Sequence, residues 1–240
     1  LQMNVSWYRL ATTLRGRCGS VVWVGSYQGS KLKCRPGAML TPRLVVCDLD
    51  YTLWWRPRFK AGPPWTPIDD GRNGVKSSCG TTLDLYDGAR NALLRMADEG
   101  IPIALASRTH RPAWALEWLK LLKTDESRTV WDVVHPSPII IRDGSKVQHI
   151  REIGRQADVQ YSDMLYFDDS YADVVQVEKL GVVAVHCPAG DGLTDPLFTE
   201  GLARFASGAP RPSPPPQPGY RNGRTRGLRA QRRKRGRRGG

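Results

Sequence analysis

The chain has 240 residues, 36 of them Lys or Arg and 23 Asp or Glu, so its formal net charge is +13 and its length suits one domain with flanking segments. Apolar residues make up 40% of the sequence, as in globular proteins, and no stretch approaches the roughly 18 to 20 apolar residues of a membrane span. The five cysteines are odd in number and lack C-x-x-C spacing, which excludes an obvious zinc site or disulfide framework and indicates free thiols in a reducing compartment.

The positive charge lies at the two ends of the chain. Residues 1–42 contain six Lys or Arg, residues 208–240 contain eleven, and neither segment contains an acid, so the segment 43–207 is mildly acidic. For residues 1–40 two interpretations stay open, a transit peptide or an extension before a translation start at Met39. The tail is Pro-rich and then Arg/Gly-rich, so we expect it to be disordered. We expect a cytoplasmic protein, with an organelle or the nucleus as the alternative if the basic flanks are targeting signals.

Predicted strands and helices alternate through residues 41–207. Short apolar runs predict buried strands at 44–47, 101–106, 130–134, 139–141, 164–167 and 182–187. Helical spacing and capping residues, including Asp87 and Asp195, predict helices at 87–99, 112–122, 146–156, 172–180 and 195–205. Repeated strand–helix–strand units imply an α/β fold with a doubly wound, mostly parallel sheet. The stripe of Trp114, Trp118 and Leu122 at helical spacing indicates core packing.

Polar residues follow these strands at their carboxyl ends, where the chemistry of parallel sheets gathers. Four separate stretches of sequence supply them, and we expect those stretches to meet at one edge of the sheet. The candidate site residues are Asp48, Asp50, Thr52, Ser107, Arg108, Lys146, Asp168 and Asp169.

These residue types fit phosphomonoester hydrolysis. Of two carboxylates two positions apart, one can attack phosphorus to form an aspartyl-phosphate, while the other protonates the leaving oxygen and later deprotonates water. Several crowded carboxylates repel one another and a phosphate unless a hard cation such as Mg²⁺ neutralises them. A hydroxyl and an ammonium can then hold the remaining phosphoryl oxygens.

Four motifs occur in a fixed order: Asp-x-Asp-x-Thr, a Ser after an apolar strand, a Lys, and an Asp-Asp pair after another strand. They lie in the segments LVVCDLDYTLW, LDLYDGARNALLRMADEGIPIALASRT, GSKVQHI and MLYFDD, which KLGVVAVH follows. Over about 43–205 the sequence resembles phosphatases of the haloacid dehalogenase superfamily, and among them the magnesium-dependent phosphatase-1 family. The resemblance implies a Rossmann-like fold with a small cap insertion at about 54–82.

The resemblance also implies roles for the carboxylates. Asp48 would be the nucleophile and a ligand of Mg²⁺, and Asp50 would be the general acid and base with its backbone carbonyl on the metal. Asp168 would be the second carboxylate ligand. Asp169 would bind the metal through water or orient the site.

The remaining site residues would act on the phosphate or the loop. By the same resemblance, Ser107 and Lys146 would bind the transferring phosphoryl group, Arg108 would lie beside it, and Thr52 would brace the loop. The sequence departs from the family at Cys47, where the family usually has a bulkier residue, and in an extra stretch at 129–138. The cap insertion matches poorly and leaves open a phosphotyrosine-like or a sugar-phosphate substrate.

The cap insertion is rich in aromatic and basic side chains. They could contact a phosphorylated aromatic, sugar or protein side chain, or the tryptophans could pack the cap against the core. These residues are Trp54, Trp55, Phe59, Trp65, Arg56, Arg58 and Lys60.

Other functions stay open beside the phosphatase. The tail could bind a nucleic acid or another polyanion and tether the domain. A carboxy-terminal-domain-type protein phosphatase of the same superfamily is a further possibility, although Tyr51 stands where its motif usually has Glu. The four histidines show no ligand spacing and are interpreted as structural or surface residues. The oligomeric state is not predicted.

Overall fold

The computed structural model describes residues 41–55, 62–68 and 74–208. The expectations for residues 1–40 and for the basic tail beyond 208 lie outside the described residues. So does part of the cap, including Phe59 and its three basic neighbours. No helix in the described ranges is long and apolar enough to cross a membrane. Cys47, Cys79 and Cys187 are free thiols, as expected.

Strands and helices alternate over most of the described chain. In chain order the strands are β1 (Leu44–Cys47), β2 (Trp65–Pro67), β3 (Val75–Ser77), β4 (Thr82–Leu83), β5 (Ile103–Ser107), β6 (Ile139–Ile141), β7 (Met164–Asp168) and β8 (Val183–His186). The helices are α1 (Asp87–Asp98), α2 (Pro112–Leu121), α3 (Val130–Val134), α4 (Lys146–Ala157), α5 (Tyr171–Glu178) and α6 (Asp195–Ser207). Five parallel strands form the main sheet in the order β6-β5-β1-β7-β8.

The central strand β1 explains why helices cover both faces of the sheet. Its residues are all buried and alternate between the faces. Val45 and Cys47 pack with α1, α2, α3 and α6, whereas Leu44 and Val46 pack with α4 and α5. A strand buried on both faces must be apolar throughout, as LVVC is. The predicted doubly wound α/β fold is therefore confirmed.

A small antiparallel sheet, in the order β2-β3-β4, lies within the predicted cap insertion. Trp65 begins this sheet and is buried against Trp118 of α2, with 5.0 Å between the ring centroids. Trp54 is also buried and meets Trp118 edge-on at 5.9 Å. The interpretation of the α2 stripe as core packing is confirmed for Trp118 and Leu122, while Trp114 is partly buried.

Three local predictions are corrected by the structure. Residues 130–134, predicted as a strand, form the helix α3. Its β-branched valines favour strand, but Thr129 and Asp132 form a reciprocal capping box in which each side chain accepts from the other's backbone N–H, at 3.2 and 2.8 Å. Asp87 and Asp195 begin their helices rather than capping them, since the N-cap positions belong to the residues before them.

Candidate active site

The sheet brings the predicted site residues from four stretches of sequence to one edge. Asp48 directly follows β1, the central strand. Ser107 and Asp168 end the flanking strands β5 and β7, so the three side chains arise next to one another. Lys146 is the first residue of α4 and enters from the end of that helix. The order of the strands thus brings residues that are distant in sequence together in one cluster.

Lys146 lies between two carboxylates. Its Nζ is 2.5 Å from Asp48 Oδ1 and 3.1 Å from Asp168 Oδ2, and it donates to the carbonyl oxygen of Ala106 at 2.5 Å. The side chain is only 2% exposed. A buried ammonium is stable only when hydrogen-bonded and paired with opposite charge, and this position supplies both.

The charges in this cluster perturb one another. Burial raises the pKa of Asp48 to about 8, with the charge of Lys146 opposing the rise and that of Asp168 adding to it. Burial alone would lower the pKa of Lys146, but the carboxylates of Asp48 and Asp168 raise it overall. Burial and the charge of Asp168 raise the pKa of Asp169 to about 6. One ammonium therefore does not fully offset the crowded carboxylates, and a further cation would be favoured there.

Asp168 is held by a neighbour that the sequence analysis did not identify. The buried Tyr166 hydroxyl donates to Asp168 Oδ2, and the backbone N–H of Ser170 donates to Oδ1 at 2.7 Å. Tyr166 lies two residues before Asp168 on β7, so both point to the same face of the sheet. Because side chains two residues apart on a strand lie on the same face, the sequence could have indicated that Tyr166 contacts Asp168.

Three carboxylates could hold a metal ion together. Oxygen atoms of Asp48, Asp168 and Asp169 all lie within 4.8 Å of one another. Asp48 and Asp168 are buried and Asp169 is half-buried, so the cluster faces the solvent from one side. Such hard oxygen donors suit Mg²⁺ or Ca²⁺ rather than a soft metal. The Asp50 side chain does not belong to this group of carboxylates. The family resemblance implies only its backbone carbonyl as a metal ligand.

Asp50 belongs to a tight turn that follows β1. Its Oδ1 accepts a 3.0 Å hydrogen bond from the indole Nε1 of Trp54, and the N–H of Tyr51 donates to the carbonyl of Trp54 at 2.7 Å. Thr52 is buried and accepts, through its carbonyl, a 2.8 Å hydrogen bond from the N–H of Leu193. Among the described residues the Thr52 hydroxyl has no hydrogen-bond partner. The turn is thus fixed largely through its backbone.

Ser107 and Arg108 lie on the opposite side of Asp48 from β7. Ser107 is buried, and its hydroxyl oxygen accepts a hydrogen bond from the N–H of Thr109 at 3.2 Å. Arg108 is half-exposed and hydrogen-bonds Asp173 of α5. Its guanidinium is therefore anchored beside the site.

These side chains surround an open cavity of about 370 Å³. Part of the cavity wall was not predicted from the sequence. Tyr51, Thr109, Asp143 and Gly144 have no signal of their own, and His110 was interpreted as a structural or surface residue. Seven of the predicted residues and these five line it together: Asp48, Asp50, Tyr51, Ser107, Arg108, Thr109, His110, Asp143, Gly144, Lys146, Asp168 and Asp169. Most of the lining side chains are polar or charged, and the carboxylates outnumber the two cations, Arg108 and Lys146.

The doubly wound sheet, its small inserted sheet and this cluster of side chains define a phosphatase of the haloacid dehalogenase superfamily. The chain belongs to the acid phosphatase family, whose sequence profile matches residues 40–208. The family resemblance read from the motifs, and the prediction that the chain is a phosphatase, are therefore confirmed.

The chain is similar to several known proteins. Human magnesium-dependent phosphatase 1 is 35% identical over 167 residues, which cover 69% of this chain and 88% of the relative. A HAD-like hydrolase superfamily protein of Schizosaccharomyces pombe is 29% identical over 144 residues, covering 59% of this chain and 83% of that protein. The Mg-complexed phosphatase domain of BF1531 from Bacteroides fragilis has 20% identity and a TM-score of 0.46 over 68% of this chain and 40% of that one.

Proposed function

We propose that this chain hydrolyses phosphomonoesters with Mg²⁺ through an aspartyl-phosphate on Asp48. The observation that carries the proposal is the position of Asp48, at the end of the central strand, 2.5 Å from Lys146 and open to the cavity. A carboxylate placed there can attack phosphorus, and the ammonium can balance the incoming negative charge. The phosphatase domain would comprise 41–207, with 54–82 as its cap.

Mg²⁺ fits the donors that the site offers. The Asp48 and Asp168 carboxylates and the Asp50 backbone carbonyl would hold it, and Asp169 would bind through water or orient the site. Mg²⁺ usually keeps several waters and takes few carboxylates plus a substrate phosphate. The bound ion would neutralise charge on the transferring phosphoryl group. The name of the human relative, a magnesium-dependent phosphatase, supports this choice.

Two carboxylates would divide the two steps. In the first, an oxygen of Asp48 bonds to phosphorus while the bond to the leaving oxygen breaks, and Asp50 gives its proton to that oxygen. In the second, Asp50 takes a proton from water as the water oxygen attacks the phosphorus and releases Asp48. The hydrogen bond from Trp54 would orient Asp50 for both transfers.

The remaining side chains would bind the phosphate or support the turn. Ser107 and Lys146 would hold the phosphoryl oxygens, and Arg108 would lie beside them. Thr52 would brace the turn. We propose phosphotyrosine-like or sugar-phosphate substrates, with a carboxy-terminal-domain-type protein phosphatase as the alternative.

The metal requirement can be tested with a panel of phosphate esters. Turnover of 4-nitrophenyl phosphate, a sugar phosphate and a phosphotyrosine peptide should stop in excess chelator and return when Mg²⁺ is restored. Full turnover in chelator would contradict the metal assignment. A strong preference for a phosphoserine peptide would favour the alternative protein phosphatase.

The mechanism can be tested with two asparagine variants. Asp48→Asn lacks the attacking oxygen and should lose several orders of magnitude in kcat. Asp50→Asn keeps the nucleophile but loses proton transfer, which is worth about 10² to 10⁴ in rate. Because a nitrophenolate leaves without protonation, this variant should accumulate a phosphoryl-enzyme.

Intact-protein mass spectrometry after rapid acid quench measures that intermediate. The added phosphate should map to the peptide containing Asp48 in Asp50→Asn and be missing in Asp48→Asn. Phosphate on Ser107, a cysteine or a histidine would show that the proposed nucleophile is wrong, as would near wild-type turnover by Asp48→Asn.

A further inference from the structure

The hydroxyl of Tyr166 lies buried beside the carboxylates of the candidate metal site. Tyr166 is the central residue of β7 and is fully buried between Val46 of β1 and Ala184 of β8. It points to the face of the sheet that α4 and α5 cover, where it belongs to an apolar cluster. A polar atom in such a place is stable only with a hydrogen-bond partner, and its partner is Asp168.

The contacts of Asp168 use most of its capacity to accept hydrogen bonds or bind a cation. An ionised carboxylate offers about four lone pairs, shared between its two oxygens. Oδ2 accepts from the Tyr166 hydroxyl and lies 3.1 Å from the Lys146 ammonium, while Oδ1 accepts from the Ser170 N–H at 2.7 Å. With three of the about four lone pairs engaged, one is left, and it belongs to Oδ1.

The orientation of the Asp168 carboxylate is fixed from three sides. Tyr166 comes from β7, Lys146 begins α4, and Ser170 is the N-cap residue of α5. A rotation that exchanged the two oxygens would break all three contacts. Asp168 is only 1% exposed, so bulk water would not replace them. The same oxygen therefore stays available to a metal ion.

The number of oxygens that Asp168 can offer distinguishes between two ions that the donor type does not. Asp48, Asp168 and Asp169 supply only hard oxygen donors, which suit Mg²⁺ and Ca²⁺ alike. Mg²⁺ demands near-ideal octahedral geometry and binds few carboxylates, keeping several waters. Ca²⁺ takes about six to eight oxygens and often binds both oxygens of one carboxylate. A carboxylate limited to one oxygen thus disfavours Ca²⁺.

We infer that Tyr166 is a positioning residue that limits Asp168 to one metal-binding oxygen and thereby makes the site selective for Mg²⁺ over Ca²⁺. The inference rests on the proposed function for the assignment of Asp168 as a metal ligand. Tyr166 acts through Asp168 and needs no contact with the ion or the substrate. Without its hydroxyl, Oδ2 regains a lone pair, and both oxygens of Asp168 can bind the same ion.

The variant Tyr166→Phe removes this hydroxyl and keeps the buried ring. Titration calorimetry of the full chain with Mg²⁺ and with Ca²⁺, in the absence of substrate, measures both affinities. The wild type should bind Mg²⁺ more tightly. In the variant, the loss of orientation weakens binding of both ions, whereas the second oxygen favours only Ca²⁺. The ratio of the Kd for Ca²⁺ to the Kd for Mg²⁺ should therefore fall by about 3- to 10-fold.

Tyr161→Phe is the matched control. Tyr161 lies directly before β7 and packs, partly buried, against the same apolar cluster as Tyr166. Removal of its hydroxyl should leave both affinities and their ratio unchanged. If Tyr166→Phe weakened the binding of both ions equally, the tyrosine would only support the fold, and the inference would be overturned.

Crystal structures of the wild type with each ion test the inference without any variant. Asp168 should bind Mg²⁺ and Ca²⁺ through Oδ1 alone. In Tyr166→Phe the same carboxylate should bind Ca²⁺ through both oxygens. A wild-type complex in which either ion contacts Oδ2 of Asp168 would overturn the inference.

The results separate failure of this inference from failure of the proposed function. Hydrolysis of phosphomonoesters by the wild type, with an unchanged Kd ratio in Tyr166→Phe, would overturn the inference alone. A lowered ratio in the variant supports the inference even if the wild type hydrolyses no phosphomonoester, a result that would instead overturn the proposed function. A wild type that binds neither ion would overturn both.

Discussion

At the scale of single residues, the active site depends on one buried cation. Lys146 contacts Asp48 and Asp168 and is almost fully enclosed. Removing one partner of such a group leaves uncompensated charge in a low-dielectric environment, which typically costs about 3–5 kcal/mol. A second cation in the site would recover part of that loss. Stability and metal binding should therefore be coupled through this lysine.

The variant Lys146→Met tests this coupling through pH. Burial already raises the pKa of Asp48 from 3.8 to about 8 with Lys146 opposing the rise, so its loss should raise that pKa further. A carboxyl whose folded pKa lies above its unfolded pKa loses stability as pH rises through the interval between them. The unfolding free energy of the metal-free variant should thus fall as the pH rises from about 4 to above about 8.

Denaturant titrations at several pH values, with and without Mg²⁺, measure this effect. Mg²⁺ should stabilise Lys146→Met more than the wild type at the upper end of the range. Lys179→Met, which removes an exposed lysine after α5, is the matched control and should show neither change. A metal-free variant whose stability does not depend on pH would contradict the argument.

The sequence predicted the charged residues of the candidate site and named tryptophans near them, but it did not show which of these tryptophans are buried. Asp48, Lys146 and Asp168 belong to ordered motifs at strand ends, and topology alone brings them together. Which of Trp54 and Trp55 is buried depends on the turn after β1, and no periodicity in the sequence encodes that turn. Local sequence patterns therefore predict the reactive groups better than they predict the residues around those groups.

At the scale of elements, the loop after β8 packs against the turn that follows β1. Gly192 has a φ of +63°, and a Cβ there would lie 2.3 Å from Cδ2 of Tyr86 and 2.7 Å from the carbonyl oxygen of Thr52. The next residue, Leu193, donates its N–H to the same oxygen at 2.8 Å. The loop can approach this closely only because position 192 has no side chain.

Gly192→Ala should therefore destabilise the fold and disturb the site. A left-handed alanine costs about 1–2 kcal/mol, and the clash with Tyr86 and Thr52 adds about 1–3 kcal/mol. Gly100→Ala is the matched control, because φ is +69° there and no atom lies within 4 Å of the added Cβ. Chemical denaturation compares the two, and kcat should fall only in Gly192→Ala. Equal stability of both variants would refute the close approach.

The segment 130–134 shows why one element was predicted wrongly. Three valines in five residues favour a strand, and period-based reasoning has little to decide with over so short a run. The reciprocal bonds between Thr129 and Asp132 start a helix instead. That Thr-x-x-Asp spacing was present in the sequence and could have indicated a helix start. The strands of the main sheet were predicted correctly because a strand buried on both faces is apolar almost throughout, as β1 and β5 are.

At the scale of the whole molecule, charge and chemistry occupy different parts of the chain. All the proposed site residues lie between Asp48 and Asp169, whereas the eleven basic residues of 208–240 come after α6. Helix α6 ends at Ser207 with Gly208 in the left-handed capping position. The catalytic domain should therefore function without the tail.

Removal of residues 209–240 should leave kcat on a small aryl phosphate nearly unchanged. Any affinity for RNA, DNA or heparin should fall and depend less steeply on salt, because fewer counterions are released. Steady-state assays and salt-dependent binding titrations on both forms measure this, with Arg155→Gln in the full chain as a control for surface charge outside the tail. A tenfold loss of kcat in the folded truncation would place the tail in the active site.

The strand order also determines when the active site can exist as the chain is synthesised. Asp48 and Lys146 are 98 positions apart, and β1 pairs with β7 still further along the chain. Contacts between such distant positions form late, because a long loop must close before they are made. A nascent chain that ends before β7 does not yet contain Asp168 and Asp169, so we expect it to have neither the charge repulsion nor the activity of the finished enzyme. Catalytic competence is thus acquired in one late step, when the last carboxylate strand docks beside the first.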